Sequence, residues 1–422
     1  MTFPAVKGTE DWYAEKKAIQ RDIFNVLRKA SLNFGFQEVE APALETMNCL
    51  TKKSGEEIKA QIFTLDKRST EELGLRFDLT IPLTRMFIAK QKAVPKPVKW
   101  FSIDKVWRYE APQKGRAREF YQLSVELFGS NRAEADADVI CLAIDCLNSF
   151  GLREDDIVVK INNRKLLEGL LLQAGVAKNK LDEVTRAIDK KSKMEGDDFI
   201  KLLLDTGLNQ EQADAVKKIV SIKAKPKEAL EEIRRLAPGR DAIVGLAELE
   251  NVLKLIPANY LEVDLSLARG LAYYTGTVFE VFDKTEQFRA IAGGGRYDNL
   301  VELMGGEPCP AVGFGLGDKT LWLLLEAKGK LPTPQIGPEY YIVTVNPELT
   351  QEAVKLSARL SRRTSCDLDL MGRKFGKQLE YANAIGARNV IILGPKELAE
   401  KKVKIKNMET GEERLVDLET LR

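Results

Sequence analysis

The chain has 422 residues, of which 44% are hydrophobic and 30% charged. This is the composition of a globular protein of two to three domains. With a formal net charge of only +2, the protein as a whole does not attract polyanions electrostatically. Any nucleic-acid-binding surface must therefore be a local basic patch. The chain contains no histidine, which excludes Ser-His and Cys-His nucleophile pairs and favours transfers that arginines and magnesium support, such as phosphoryl or nucleotidyl transfer.

Targeting signals and disulfides are not expected. The start, MTFPAVKGTEDW, lacks the apolar region of a signal peptide, and no apolar run approaches the length of a membrane span. The five cysteines are scattered and form no C-x-x-C pair, which argues against a disulfide framework and structural zinc. We expect a cytoplasmic protein that does not contact a membrane.

Short strand-type runs dominate the first part of the chain. A helix is predicted over 9–34, with Thr9 as its N-cap and Gly35 at its exit. Strand-type segments follow at 75–83, 100–109 and 120–129, and a helix is predicted over 135–150.

A helical module follows and interrupts this pattern. Residues 164–256 have helical spacing throughout and a single aromatic residue, Phe199, whereas strand-type segments with glycine-rich turns resume at 259–318. We therefore predict an inserted helical domain.

The C-terminal part predicts a separate α/β domain. LPTPQIGPE at 331–339 has the prolines of a linker, and strand and helix patterns then alternate, ending in a hairpin near Thr410–Gly411. Between 348 and 406 there are 13 Lys/Arg against 7 Asp/Glu. An RNA-facing patch and an ordinary solvated helix face both explain that excess.

The segment VWRYEAPQKGRAREFYQLSVELFG, 106–129, has the strongest chemical signal. Arg108, Arg116 and Arg118 crowd one predicted hairpin, and they repel one another unless an anion such as a triphosphate lies between them. The next strand places Gln122, Ser124 and Glu126 on one face, which is either a pocket wall or an ordinary polar face.

Two further segments carry polar groups beside apolar ones. In LRFDLTIPLTR, 75–85, Asp78 and Thr80 share a face of an extended segment. They suit an ammonium group, or they cap the following helix. In RGLAYYTGTVFEVF, 269–282, Arg269 precedes Tyr273 and Tyr274. The alternatives are an edge strand with solvated side chains and a site in which Arg269 meets an anion.

Glycines mark the last two candidates. Three precede Arg296 in AIAGGGRYDNL, which permits a close approach of ligand to backbone or simply a tight turn. Gly313, Gly315 and Gly317 alternate along a predicted strand. They leave a flat surface for a purine, or room for a close helix contact.

Together and in this order, these segments resemble the histidyl-tRNA synthetase family of class II synthetases, in its archaeal or eukaryotic form; KGTEDW and GRKFGKQLEYA match as well. The resemblance implies an α/β (α+β) fold with an antiparallel six-stranded sheet and flanking helices. It implies a catalytic core over 1–163 and 257–330, a helical insertion over 164–256, a linker over 331–337 and an anticodon-binding domain over 338–422.

The family's residue roles transfer to matching positions. Catalysis is assigned to Arg269 and Arg108. Histidine binding is assigned to Asp78, Thr80, Arg108, Gln122, Glu126, Arg269, Tyr273 and Tyr274, with Tyr274 the preferred phenol for the imidazole. ATP binding is assigned to Arg108, Glu110, Arg116, Phe120 and Arg296. The motif 3 arginine of the class would fall near Thr320, beside Lys319, where this chain has none.

The resemblance also implies an activity and its partners. We expect ATP-dependent ligation of L-histidine to tRNA(His) through a histidyl-adenylate, with ATP as substrate, Mg²⁺ as cofactor and a homodimer as the assembly. A histidine-sensing regulatory subunit of ATP phosphoribosyltransferase is the alternative. It usually lacks an anticodon domain, so residues 338–422 and the retained Arg269 count against it.

Overall fold

A computed structural model describes residues 3–52, 56–66, 70–191, 198–268 and 273–421. The chain forms two compact units, one of Met1–Asp11 with Ile23–Leu331 and the other of Trp12–Asp22 with Pro332–Arg422. The domain boundaries given above, including those of the helical insertion, stay predictions.

The first unit is built on a nine-stranded sheet and a two-stranded ribbon. The strands of this unit are β1 Gln37–Glu38, β2 Leu44–Thr46, β3 Leu73–Leu75, β4 Val98–Trp107, β5 Glu119–Phe128, β6 Ile157–Asn163, β7 Lys223–Ala224, β8 Leu261–Asp264, β9 Thr277–Asp283, β10 Ala292–Arg296 and β11 Ala311–Gly317. The α-helices up to residue 331 are α1 Ala14–Asn33, α2 Met47–Thr51, α3 Thr80–Lys90, α4 Ala133–Asn148, α5 Arg164–Gln173, α6 Leu181–Lys190, α7 Asp198–Asp205, α8 Gln210–Ile219, α9 Pro226–Arg235, α10 Arg240–Leu253, α11 Leu300–Leu303 and α12 Asp318–Ala327.

The large sheet is mixed, and the expectation of six antiparallel strands is wrong. Its order is β1-β4-β5-β11-β10-β9-β6-β8-β7. The middle strands from β4 to β6 pair antiparallel, but β1 adds to β4 in parallel and β8 adds to β6 in parallel. The outer strands are short, from two to four residues, and a two-residue strand leaves too little periodicity to be found in the sequence.

Two element boundaries differ from the sequence prediction. Helix α1 begins at Ala14, because Thr9 turns back instead and its backbone N–H and hydroxyl both donate to the Val6 carbonyl. The segment 75–83 is not extended, since β3 ends at Leu75 and α3 begins at Thr80. Pro82 lies in the first turn of α3, where its missing N–H is not needed.

Residues 164–256 are helical as predicted. Helices α5–α10 fill this range, and β7 is the one strand within its described part. Helices α5 and α10 cross closely, because a Cβ at Gly169 or Gly245 would overlap the backbone of the other helix.

The second unit is the predicted α/β domain. Its strands are β12 Tyr340–Thr344, β13 Cys366–Leu368, β14 Asn389–Leu393, β15 Lys402–Asn407 and β16 Glu413–Asp417, and its helices after residue 331 are α13 Thr350–Leu360, α14 Phe375–Ala384 and α15 Pro395–Ala399. Strand order is β13-β12-β14-β15-β16, with the first three parallel and the last pairs antiparallel. The hairpin near Gly411 is confirmed, and this glycine has the left-handed φ of +74° that its turn requires.

No helix in the described ranges is long and apolar enough to cross a membrane.

Candidate active site

A cavity of about 280 Å³ opens on the first unit. Strands β5, β10 and β11 meet there with the start of α3, the loop between β4 and β5, and the start of α12. The sequence-predicted residues that line the cavity are Asp78, Thr80, Arg108, Glu110, Arg116, Phe120, Gln122, Tyr273 and Tyr274. Residues as far apart in the chain as Asp78 and Thr320 therefore contribute to one site.

Glycines form one wall of the cavity. Gly313 and Gly315 lie on β11 beside Gly293 on β10, and all three line the cavity. A Cβ at Gly315 would lie 2.6 Å from the Gln122 amide nitrogen, and one at Gly313 would overlap the Glu126 carboxylate. The triple glycine thus belongs to a central strand rather than to a turn, and side chains there would displace the polar face of β5.

That polar face is present as the alternation predicted. Gln122, Ser124 and Glu126 are all buried, and the Ser124 hydroxyl donates to Glu126 Oε1 at 3.0 Å. Glu126 is 1% exposed. It does not itself line the cavity, but it contacts two residues that do, Gly313 and Tyr297.

Tyr297 is a site residue that sequence reasoning missed. Its hydroxyl donates to Glu126 Oε2. Burial, followed by the charge of Glu126, raises the pKa of Tyr297 well above its usual value. The phenol therefore stays protonated, as a donor to this carboxylate, through the physiological pH range. Its position directly after GGGR was visible in the sequence, but nothing there linked it to Glu126.

The tyrosine pair lies at the same end of the cavity. The rings of Tyr273 and Tyr274 are 4.3 Å apart, and that of Tyr273 is 6.0 Å from Tyr297. Tyr274 is buried, and a Cβ at Gly295 would lie 3.0 Å from its ring. The strand that follows the pair, β9, lies between β10 and β6 in the sheet. An edge strand with solvated tyrosines is therefore wrong for this segment.

Arginines occupy another part of the cavity. The Arg108 guanidinium donates from Nε to the Phe77 carbonyl at 2.9 Å and lies over the Phe120 ring, 5.2 Å from its centroid. Arg116 forms an ion pair with Glu110. Burial and then the charges of Arg289 and Arg108 lower the pKa of Arg116. Arg289, which also lines the cavity, was missed because its segment, KTEQFRA, resembles an ordinary charged turn.

Asp78 and Thr80 lie where α3 begins. The Asp78 carboxylate accepts from the Ile81 backbone N–H at 3.4 Å, a long hydrogen bond of the capping kind. Both residues also line the cavity. The helix-capping hypothesis and the pocket hypothesis are therefore compatible, because a carboxylate at the start of α3 also lies at the cavity.

Arg296 does not line the cavity and is engaged elsewhere. Its guanidinium is bonded to Asp136, with the closest atoms, Nη2 and Oδ2, 2.5 Å apart, and to Asp298 at 3.0 Å. Side-chain exposure is 7% for Arg296 and 3% for Asp136. The structure therefore does not place this guanidinium where the assignment to ATP binding requires it, because α4 already supplies its counter-charge.

This ion pair predicts a large effect on stability. Replacing Arg296 with methionine leaves the Asp136 carboxylate buried without its cation. We expect the free energy of unfolding to fall by about 3–5 kcal/mol, measured by urea denaturation with tryptophan fluorescence. The double variant Arg296→Met/Asp136→Leu should recover much of that loss. Equal stability of wild type and Arg296→Met would contradict this role.

Arg269 lies in 269–272, outside the described residues. Its assigned role stays a prediction. Within the described parts of the chain, no group of three or more His, Cys, Asp or Glu side chains is arranged to hold a metal ion.

Comparisons with known proteins agree with this geometry. Residues 8–321 match the family model for histidyl-tRNA synthetase, and residues 339–422 match the model for an anticodon binding domain. The chain belongs to the histidyl-tRNA synthetase family. The family's archaeal members include histidine--tRNA ligase of Pyrococcus horikoshii, 38% identical over 98% of this chain and 96% of that protein, and that of Haloarcula marismortui, 37% identical over 99% and 96%.

Solved structures of the family have the same fold. Histidyl-tRNA synthetase from Nostoc sp. PCC 7120 superposes with a TM-score of 0.85 and 26% identity, covering 100% of this chain and 98% of that one. A Bacillus halodurans protein described as an ATP phosphoribosyltransferase regulatory subunit/histidyl-tRNA synthetase has a TM-score of 0.77 at 25% identity, over 93% of this chain and 98% of its own. The full-length archaeal relatives favour tRNA charging over the regulatory alternative.

Proposed function

We propose that the protein ligates L-histidine to tRNA(His) at the expense of ATP, as a cytoplasmic homodimer. One observation carries this proposal: a single cavity joins a buried carboxylate–phenol cluster to a set of arginines beside an aromatic ring. The first suits an imidazole, and the second suits a nucleotide triphosphate.

The carboxylate–phenol end is the proposed imidazole site. An imidazole N–H is a hydrogen-bond donor, and Glu126 is an ionised acceptor that is already oriented by Ser124 and Tyr297. Tyr274 is the proposed partner of the second ring nitrogen. Other side chains of similar size leave these buried groups unpaired, and sites of this kind discriminate by roughly 10⁴-fold or more.

The amino-acid backbone and the nucleotide are assigned to neighbouring groups. Asp78, Thr80 and Gln122 bind the ammonium, and Arg108 lies between the histidine carboxylate and the α-phosphate. Phe120 packs on the adenine. Arg269 is proposed to add a second guanidinium at the α-phosphate. This rests on the family motif alone.

The adenylation step needs little more than these contacts. The histidine carboxylate oxygen attacks the α-phosphorus in line, a new C–O–P linkage forms, and the Pα–O bond to pyrophosphate breaks. Because the carboxylate is already ionised, no protein base is required, which suits a chain without histidine. Arg108 stabilises the charge that develops on the phosphoryl oxygens. Two carboxylates line the cavity, Glu280 and Glu110, the second of them paired with Arg116. They would hold Mg²⁺, which offsets phosphate charge when bound.

The test is aminoacylation with each amino acid in the presence of matched tRNA. We expect charging of tRNA(His) with histidine alone. Histidine binding with no charging of any tRNA would instead support the regulatory alternative.

The basic second unit is the proposed tRNA anticodon-binding part. Lys374 is exposed at the start of α14, on a second cavity of that unit. Replacing it with glutamine should weaken tRNA binding and reduce the slope of log affinity against log salt by about 1. Filter binding over a salt series measures this. Lys29→Gln, an exposed lysine on α1, is the control, and an unchanged slope for Lys374→Gln would rule out a phosphate contact there.

A further inference from the structure

The loop between β9 and β10 reaches the cavity through one arginine. Arg289 is exposed on this loop and lines the cavity. Its Nη2 donates to the Gln113 side-chain oxygen at 3.1 Å. Gln113 in turn pairs with Arg116 through two backbone hydrogen bonds of 3.0 and 2.8 Å. Arg289 is therefore attached to the tip of the hairpin that carries Arg116.

Two neighbouring cations of the cavity have counter-charges. Arg116 is paired with Glu110, and Lys319 with Glu10 at 3.0 Å. Arg289 forms no ion pair with any carboxylate in the described ranges, and its one side-chain hydrogen bond there is to a neutral amide. A guanidinium held by an amide keeps its charge and most of its donors for a ligand.

Two guanidiniums that face one cavity indicate an anionic ligand between them. The charge of Arg289 is felt at Arg116, where it lowers the guanidinium pKa after the effect of burial. Such repulsion costs free energy in the empty site and is relieved by a polyanion. The start of α12 lies beside this hairpin, where a Cβ at Gly115 would be 3.7 Å from the Thr320 hydroxyl. It presents Lys319 and Thr320 to the cavity and no guanidinium.

We propose that Arg289 binds the terminal phosphates of ATP, and the pyrophosphate that leaves, together with Arg116. This inference rests on the proposed function and deepens it by naming a phosphate-binding residue. The planar fork of arginine donates two parallel hydrogen bonds to phosphate oxygens. Gln113 is the positioning residue that holds the fork toward the cavity.

The test is equilibrium binding of ATP and of AMP, which lacks the terminal phosphates, to the full chain. In Arg289→Ala, we expect ATP affinity to fall roughly 10- to 100-fold and AMP affinity to stay at the wild-type value. Arg289→Lys should be intermediate, since it keeps the charge but loses the fork. Gln113→Leu should weaken ATP binding less than Arg289→Ala. Arg414→Ala, an exposed arginine on β16, controls for net charge and should match wild type.

The ATP and AMP affinities test the role of Arg289 independently of the proposed histidine ligation. If Arg289→Ala keeps the wild-type ratio of ATP affinity to AMP affinity, Arg289 does not bind the terminal phosphates. This holds whether both affinities are unchanged or both fall by the same factor. Failure of the proposed function would appear differently. Histidine would then not support pyrophosphate exchange in the wild type, while the ATP-to-AMP ratio would still fall in Arg289→Ala.

Discussion

Replacing Arg108 with alanine is expected to lower the rate of histidine-dependent ATP–pyrophosphate exchange by about 10²- to 10³-fold. The guanidinium is fixed by the Phe77 carbonyl and by the Phe120 ring, so that it is already oriented when charge develops on the α-phosphate. The measurement is the initial rate of exchange at saturating histidine and ATP.

Comparing Arg108→Ala with Arg108→Lys separates the effect of the charge from that of the planar guanidinium. Arg108→Lys keeps the charge but not the planar fork, and it should recover only part of the rate. Circular dichroism of both variants checks that the fold is retained. An exchange rate in Arg108→Ala equal to that of wild type would remove Arg108 from the reaction.

Replacing Glu126 with glutamine is expected to lower kcat/KM for histidine by about 10²-fold or more. The substitution keeps the shape of the side chain but replaces an ionised acceptor by an amide, and Tyr297 still donates to its oxygen. The KM for ATP should change little, because Glu126 contacts Tyr297 at the phenol end of the cavity. Exchange kinetics with histidine varied and then ATP varied measure the two effects.

Tyr297→Phe is the matched partner of that variant. It removes the hydroxyl that donates to Glu126 and leaves the carboxylate charged, so its loss in kcat/KM for histidine should be smaller. Equal losses for histidine and ATP in Glu126→Gln would show a general disturbance of the fold instead of an imidazole contact.

Local patterns in the sequence predicted much of this site. The alternation along β5 placed Gln122 and Glu126 on one face, and that is where the cavity lies. Alternate glycines on β11 left space beside that face, since both strands have a period of two residues. The Arg108 and Phe120 pair was assigned through the family motif, and these two side chains do lie together.

The site residues that could not be predicted from the sequence are positioned by contacts between distant segments of the chain. Tyr297 and Glu126 are 171 positions apart, and Arg289 reaches Gln113 across 176; no periodicity links such positions. Arg296 was assigned to ATP binding through the family resemblance, whereas its partner Asp136 lies on α4, 160 positions away in the chain. The nine-stranded sheet was missed because its added strands are too short to have a pattern.

We propose that one cavity holds a histidine side chain next to ATP. ATP–pyrophosphate exchange with each of the twenty amino acids tests it most directly. We predict exchange with histidine and background with the other nineteen. Exchange that proceeds without any amino acid, or as fast with another one as with histidine, would contradict the claim.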